Sequence, residues 1–188
     1  MSCRGGFSLD EATRRSWYNP EEILETAGLR RGMTFVDVGC GDGFFSLLAA
    51  EFVGESGKVH AVDIDSSAIE WLKNKAVEKG FHNISAKVGT AEETTFCKNC
   101  ADVVFYCMVL HDFRNLALVL RNAKAMIKPL GTLVNLDWKK QEMPFGPPTH
   151  IRFSIEQAKD FLAKAGFHVQ SAKDAGQYHY VITARPLP

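Results

Sequence analysis

Nowhere in these 188 residues do eighteen apolar side chains follow one another, so no segment reads as a membrane-spanning helix. The first twenty residues lack an apolar stretch of signal-peptide length, which sets the expectation of a cytoplasmic protein. Charge of one sign is missing too. Lys plus Arg and Asp plus Glu each total 22, leaving no net field to gather nucleic acid or an anionic membrane surface. The basic pairs Arg14-Arg15, Arg30-Arg31 and Lys139-Lys140 then read as solvated faces. No internal repeat or low-complexity stretch is evident. A single domain over residues 1–188 is expected, because 46% hydrophobic residues at this length suffice for one full core. Within it, residues 1–30 read as a helical lid or extension and residues 31–188 as the core. Residues 1–8 lack periodicity and read as a flexible terminus.

Cysteine is sparse and odd in number. Five thiols without an export signal argue for reduced cysteines over a disulfide framework. Cys97-Lys98-Asn99-Cys100 has the spacing of half a zinc site or of a redox pair. No second pair follows at zinc-site distance, and the four residues lie in a polar connection, so two unrelated loop thiols and no metal are expected. Cys40 sits inside a glycine turn, Cys107 closes an apolar strand, and Cys3 reads as mobile.

What the chain does have is a glycine-rich break after an apolar run. Residues 33–38 climb to Val36-Asp37-Val38 and open into Gly39-Cys40-Gly41-Asp42-Gly43, after which Phe44, Leu47, Leu48 and Phe52 recur at helical spacing. This is a strand, a tight turn and a helix. Glycines there let a ligand lie on bare main chain. A dinucleotide fingerprint places its third glycine three residues after the second, whereas Gly41 and Gly43 are two apart. Asp37 and Asp42 would repel a diphosphate and attract a ligand carrying an ammonium and a sulfonium. In its acidic-x-Gly-x-Gly-x-Gly form, the stretch 37–43 resembles the S-adenosylmethionine loop of class I methyltransferases. Over about residues 17–185 the chain is most similar to the small methyltransferases (type 11) grouped with ubiquinone and menaquinone biosynthesis enzymes.

The later segments alternate as an α/β fold requires. Strands are expected at 58–65, 84–88, 101–108 and 132–137, and helices at 67–79, 115–127 and from Ser154 to a stop at Gly166. Two antiparallel strands follow at 167–173 and 178–185 across a turn at 174–177. Before the core, a short helix at 10–18 leads to a second one capped by Asn19, started by Pro20 and ended near Gly28. Ser67-Ala68-Ile69-Glu70 and Ser154-Ile155-Glu156-Gln157 read as capping boxes, and Lys128-Pro129-Leu130-Gly131 as a breaker. The fold class is a Rossmann-like, doubly wound, mostly parallel seven-stranded sheet ending in an antiparallel hairpin, with helices on both faces. The resemblance implies the same.

Asp63 ends the second strand twenty residues beyond Gly43, where a carboxylate can accept both hydroxyls of a ribose, and Ile64 is placed to press on adenine. The resemblance assigns ribose binding to Asp63. Asp65 is the weaker candidate, since it also reads as a helix cap. Asp37 would meet the methionine ammonium, and Gly39, Cys40, Gly41 and Gly43 would admit the rest of that moiety. After the third strand, Thr90, Ala91 and Glu92 fall where related sequences hold adenine, although an aspartate commonly stands in place of Thr90 and a neutral hydroxyl is a weaker acceptor. The resemblance puts the end of the fourth strand beside the sulfonium, so Tyr106, Cys107, His111 and Asp112 are nearest the chemistry. His111 and Tyr106 are the catalytic candidates. His111 titrates near neutrality and can take a proton, or else it only caps the next helix. Acceptor-site candidates are Trp17, Trp138, His150 and Arg152, with Arg14, Tyr18 and Phe145 beside them. The alternatives are that Trp17 and Tyr18 merely pack and that Pro144, Pro147 and Pro148 only stiffen a loop. The implied function is S-adenosylmethionine-dependent methyl transfer to a small-molecule acceptor. A non-catalytic cofactor-binding subunit and an NAD-dependent oxidoreductase are the rivals.

Overall fold

The computed structural model describes residues 10–188, so Cys3 and the flexible terminus expected at 1–8 lie outside the described residues. Seven strands form one sheet: β1 Thr34–Val38, β2 Lys58–Asp63, β3 Ile84–Val88, β4 Ala101–Cys107, β5 Ile127–Trp138, β6 Phe167–Ala175 and β7 His179–Pro186. Their order is β3-β2-β1-β4-β5-β7-β6. The first five run parallel, and β7 is antiparallel to both β5 and β6. The helices are α1 Glu11–Trp17, α2 Pro20–Thr26, α3 Phe44–Val53, α4 Ser66–Glu78, α5 Leu116–Met126 and α6 Ile155–Lys164. None of the helices of the described residues is long and apolar enough to cross a membrane.

Successive side chains of a strand point to opposite faces of its sheet. Val36, Val104, Tyr106, Leu133 and Ile182 therefore pack with Leu120 of α5 and Leu162 of α6. Phe35, Val103, Phe105, Val134 and Leu136 pack on the other side with Leu24 of α2 and Ala49 of α3. This parity sorts the rim. Asp37, in step with Phe35, and Cys107, in step with Phe105, belong to the α3 side, while Asn135 and Asp137, in step with Leu133, belong to the α5–α6 side.

Local signals set the helix starts. Asn19 accepts from the Glu22 N–H ahead of Pro20, and Ser154 and Gln157 make both bonds of a capping box. At α4 the expected box at Ser67 gives way to Asp65, whose carboxylate accepts from Ser67 and Ala68 N–H. A charged acceptor one residue outside the helix outcompetes a hydroxyl. The expected breaker at 128–131 instead lies inside β5, because the ladder passes from Ala101↔Ile127 to Val103↔Thr132 and leaves Pro129 in the irregularity. The hairpin turn is tighter than expected: Ala175 still pairs with His179.

The expectation of two unrelated thiols at Cys97 and Cys100 is overturned. The chain turns back at Asn99, where φ is 50°, while Asn99 and Cys100 N–H bind the carbonyls of Ala125 and Met126. That turn brings the two Cα atoms to 5.9 Å, and the sulfurs are joined as a disulfide.

Candidate functional site

The glycine loop is tied to its neighbour strand by main chain. Gly39 and Cys40 N–H donate to the Val62 carbonyl at 2.8 and 3.0 Å, and Gly41 N–H donates to Asp63 Oδ2 at 2.8 Å. Asp63 Oδ1 accepts from Asp65 N–H at 2.9 Å, so the carboxylate spans the ends of both strands. Gly41 holds φ at 53°, and a Cβ there would meet nothing within 4 Å among the described residues, so the loop floor is open. Gly43 starts α3 with φ at 78°.

Asp37 lies beneath that floor with 1% of its surface exposed. Its Oδ2 accepts from Ser46 Oγ at 2.6 Å, and its Oδ1 has no hydrogen-bond partner among the described residues. Burial pushes its pKa up to about 7, opposed by the Ser46 bond and reinforced by Asp63 and Asp42. Asp42 is already paired. Arg14 of α1 reaches it with two hydrogen bonds of 2.9 and 2.8 Å, and the guanidinium also lies 4.9 Å from the Phe44 ring centroid. Of the two carboxylates expected to attract a cation, Asp37 alone keeps an unpaired oxygen. Cys40 and Cys107 flank the loop and the β4 end, and burial raises both thiol pKa values, which keeps them protonated.

On the adenine side, Ile64 is 63% exposed beside Asp63. The next loop is busier than expected. The Thr90 hydroxyl accepts from Glu93 N–H at 3.2 Å and donates to the Glu93 carboxylate at 3.1 Å. Glu92 accepts from Asn115 N–H at 3.2 Å, and Asn122 donates to the Ala91 and Glu92 carbonyls. These groups clip the loop to α5, so the Thr90 and Glu92 side chains are spent on holding it.

The catalytic candidates fall on the other face. Tyr106 is fully buried, edge-on to Phe113 with centroids 5.9 Å apart, and strand parity turns it away from Cys107 and Asp37. Its ring packs into the core on the α5–α6 side. His111 lies in a short 3₁₀ turn, Leu110–Asp112, after β4, with its side chain 1% exposed. Its Nδ1 is 3.4 Å from Asp137 Oδ1 and its Nε2 is 3.8 Å from Asp112 Oδ2. Burial opposes charging of the imidazole, but the close carboxylate of Asp137, with that of Asp112, outweighs it and raises the pKa.

The acceptor candidates divide. Trp17 and Trp138 meet with centroids 5.4 Å apart, joined by Phe145, Tyr178 and His179. His150 is exposed in the loop after β5. Arg152 is 2% exposed, and its guanidinium donates to the carbonyls of Pro147, Lys139, Gln141 and Phe145. Four of its five N–H groups hold the loop from inside, which leaves one donor for anything else. Asp137 sits at the carboxyl end of β5, where the sequence puts it on the rim with His111, and His179 is a residue that sequence reasoning passed over. Only the pairing Trp138↔His179 between distant strands reveals it. A separate cleft of about 770 Å³ opens at the amino ends of β2 and β3, among Ala50, Lys79 and Asn83, away from the glycine loop.

A model of the family described as "Methyltransferase domain" matches residues 29–182. The chain belongs to this methyltransferase family. As a methyltransferase chain it is 27% identical over 159 residues to a ubiquinone/menaquinone biosynthesis C-methyltransferase of Shewanella baltica, covering 84% of this chain and 61% of that protein. It is also 27% identical over 124 residues to the demethylmenaquinone methyltransferase of Listeria monocytogenes, covering 66% and 52%. The chain thus spans under two thirds of the length of these curated relatives. The crystal structure of a SAM dependent methyltransferase from Aquifex aeolicus superposes with a TM-score of 0.88 at 30% identity, covering 94% of each chain.

Proposed function

We propose that this methyltransferase binds S-adenosylmethionine across the 39–43 loop and transfers its methyl group in line to a small-molecule acceptor. The observation that carries the reading is the buried, unpartnered Oδ1 of Asp37 under an open glycine floor, an anionic socket suited to an ammonium. The residues present fit the group. Asp37 holds the ammonium, and the main chain of Gly39, Cys40, Gly41 and Gly43 lies along the methionine moiety. Asp63 uses its remaining lone pairs for the two ribose hydroxyls, since each oxygen already accepts one backbone N–H. Ile64 covers one adenine face, and the Ala91 main chain borders the other edge.

The cofactor supplies an activated methyl group on a sulfonium that becomes neutral on transfer. The chain's own task is alignment in a dry pocket, which can remove on the order of 7 to 11 kcal/mol of barrier. Cys107 at the end of β4 and the aromatic rings of Trp17 and Trp138 exclude water there. His111, gripped by Asp137, acts as a positioning residue that ties the turn after β4 to the end of β5. A strong general base is dispensable for an acceptor that reacts as a thiolate, carbanion or amine. The balanced net charge and the names of the curated relatives support a small molecule over a nucleic acid.

Titration calorimetry with S-adenosylmethionine, S-adenosylhomocysteine and NAD tests the reading. Uptake of the first two is expected. Uptake of NAD alone would replace it with the oxidoreductase reading, and tight cofactor binding with no turnover on any acceptor would leave a cofactor-binding subunit.

A further inference from the structure

Cys97-Lys98-Asn99-Cys100 is a motif that methyl transfer leaves without a task, and the fold joins its sulfurs across a turn in which Lys98 and Asn99 are exposed. Cys100 packs half-buried against the hydrophobic cluster on the α5 side, whereas Cys97 belongs to neither cluster. Cys97 is therefore the sulfur that an incoming thiol meets first.

The turn is also the end-cap of α5. A helix leaves its last carbonyls without partners of its own. Here Ile127 N–H reaches Ala123, while Asn99 and Cys100 N–H, at 3.0 and 2.8 Å, satisfy Ala125 and Met126. Asn99 does so with φ at 50°, a left-handed conformation that favours glycine, and the Cys97–Cys100 bond closes the turn around it. One turn earlier on α5, Asn122 donates to the carbonyls of Ala91 and Glu92 at 3.1 and 2.7 Å. Phe96 N–H, between these anchor points, meets Met126 Sδ at 3.3 Å. The connection from β3 to β4 is thus fastened to the end of α5 both at 91–92 and at 99–100, and its first anchor is the adenine edge of the proposed cofactor pocket.

Resting on the methyl-transfer reading for the ligand it affects, we propose that Cys97 and Cys100 are a reversible dithiol–disulfide site whose closed form holds the adenine edge for S-adenosylmethionine. In the opening step the thiolate of an external dithiol attacks Cys97 Sγ, forming a mixed disulfide as the Cys97–Cys100 bond breaks. The electron pair of that bond leaves with Cys100, which takes up a proton. The second thiol of the reductant then attacks the reductant's own sulfur and releases Cys97, which is protonated in turn, so the chain ends as a dithiol and the reductant as a disulfide. A low-molecular-weight disulfide reverses the exchange. Opening frees the turn, the caps on Ala125 and Met126 loosen, and the end of α5 frays back toward Asn122.

The full chain equilibrated with dithiothreitol or with oxidised glutathione, its free thiols then blocked with N-ethylmaleimide, tests this. Trypsin cuts after Lys98, so mass spectrometry finds peptides 88–98 and 99–114 joined when the bond is closed and separate when it is open. The closed form is expected to bind S-adenosylhomocysteine about fivefold more tightly, less than closing so short a loop can supply, and cycling the same sample is expected to reverse the difference. Hydrogen exchange is expected to be faster in the open form at residues 99–100 and 122–126. Cys97→Ser and Cys100→Ser are expected to bind like open wild type in either buffer, and Cys100→Ser to take up glutathione at Cys97 faster than Cys97→Ser does at Cys100. Peptides that stay separate after oxidised glutathione, indistinguishable affinities of the two wild-type states, or serine variants that still respond to the redox buffer would overturn the proposal. Wild type that ignores S-adenosylhomocysteine in both states overturns methyl transfer instead, and hydrogen exchange then decides the clasp: equal rates in the two states overturn it.

Discussion

Asp37→Asn should make the free protein more stable and the cofactor complex weaker. Burial holds the Asp37 pKa at about 7 against an ordinary 3.8. The native state therefore keeps a proton that the unfolded chain releases, and native stability falls as pH rises from about 4 to about 7. At 1.36 kcal/mol per pH unit the full penalty above pH 7 is about 4 kcal/mol. Asparagine keeps an acceptor for Ser46 and removes the charge, so at pH 8 the melting temperature of the free protein should rise by several degrees, at about 2–4 °C per kcal/mol for a chain of this size. At pH 4, where Asp37 is protonated, the variant and wild type should melt alike. The ammonium loses its counter-charge, and S-adenosylmethionine binding should weaken by about 1.5–3 kcal/mol, the worth of a charged hydrogen bond. Wild-type affinity should climb with pH and level off above about 7, with proton release at pH 6 visible as a buffer-dependent heat. Scanning calorimetry from pH 4 to 8 and titration calorimetry at pH 6 and 8 read both effects. An Asp37→Asn protein that melts lower than wild type at pH 8, or binds the cofactor equally well, would refute the argument.

Asp63→Ala should cost about 1–3 kcal/mol of cofactor affinity through lost charged hydrogen bonds, measured by calorimetry. Gly41→Ala and Gly43→Ala should differ, since a Cβ at 41 enters open space on the cofactor side and one at 43 runs into Leu72. The first should mainly lower affinity and the second mainly lower the melting temperature. Arg152→Met strands four carbonyls and should cost about 2–5 kcal/mol in urea titration, with the loop at 139–152 becoming protease-sensitive. His111 gains a carboxylate partner on folding, so its raised pKa stabilises the native state fully below about 6.5, and that contribution disappears as pH rises through the folded value. In His111→Gln the difference in stability between pH 6 and pH 9 should shrink.

The sequence by itself determined what depends on neighbours along the chain. The glycine turn with Asp37, the acidic strand end at Asp63, the Asn19 and Ser154 caps and the alternation of strands and helices are all written within a few residues, where backbone freedom and short-range hydrogen bonding act. Tertiary structure alone decided which partner each side chain takes. Alternation along β4 and β5 was legible, but not which pleat faces α3 and which faces α5, and that choice sends Tyr106 and His111 to one side and Cys107 to the other. Arg152 read as a ligand-binding cation because its four carbonyl partners come from the fold of a loop with no regular pattern. His179 carried no signal, because its burial depends on strands some forty residues apart pairing in register and on a helix at the start of the chain closing over them. Local chemistry specifies the elements, and the pairing of distant strands assigns their faces.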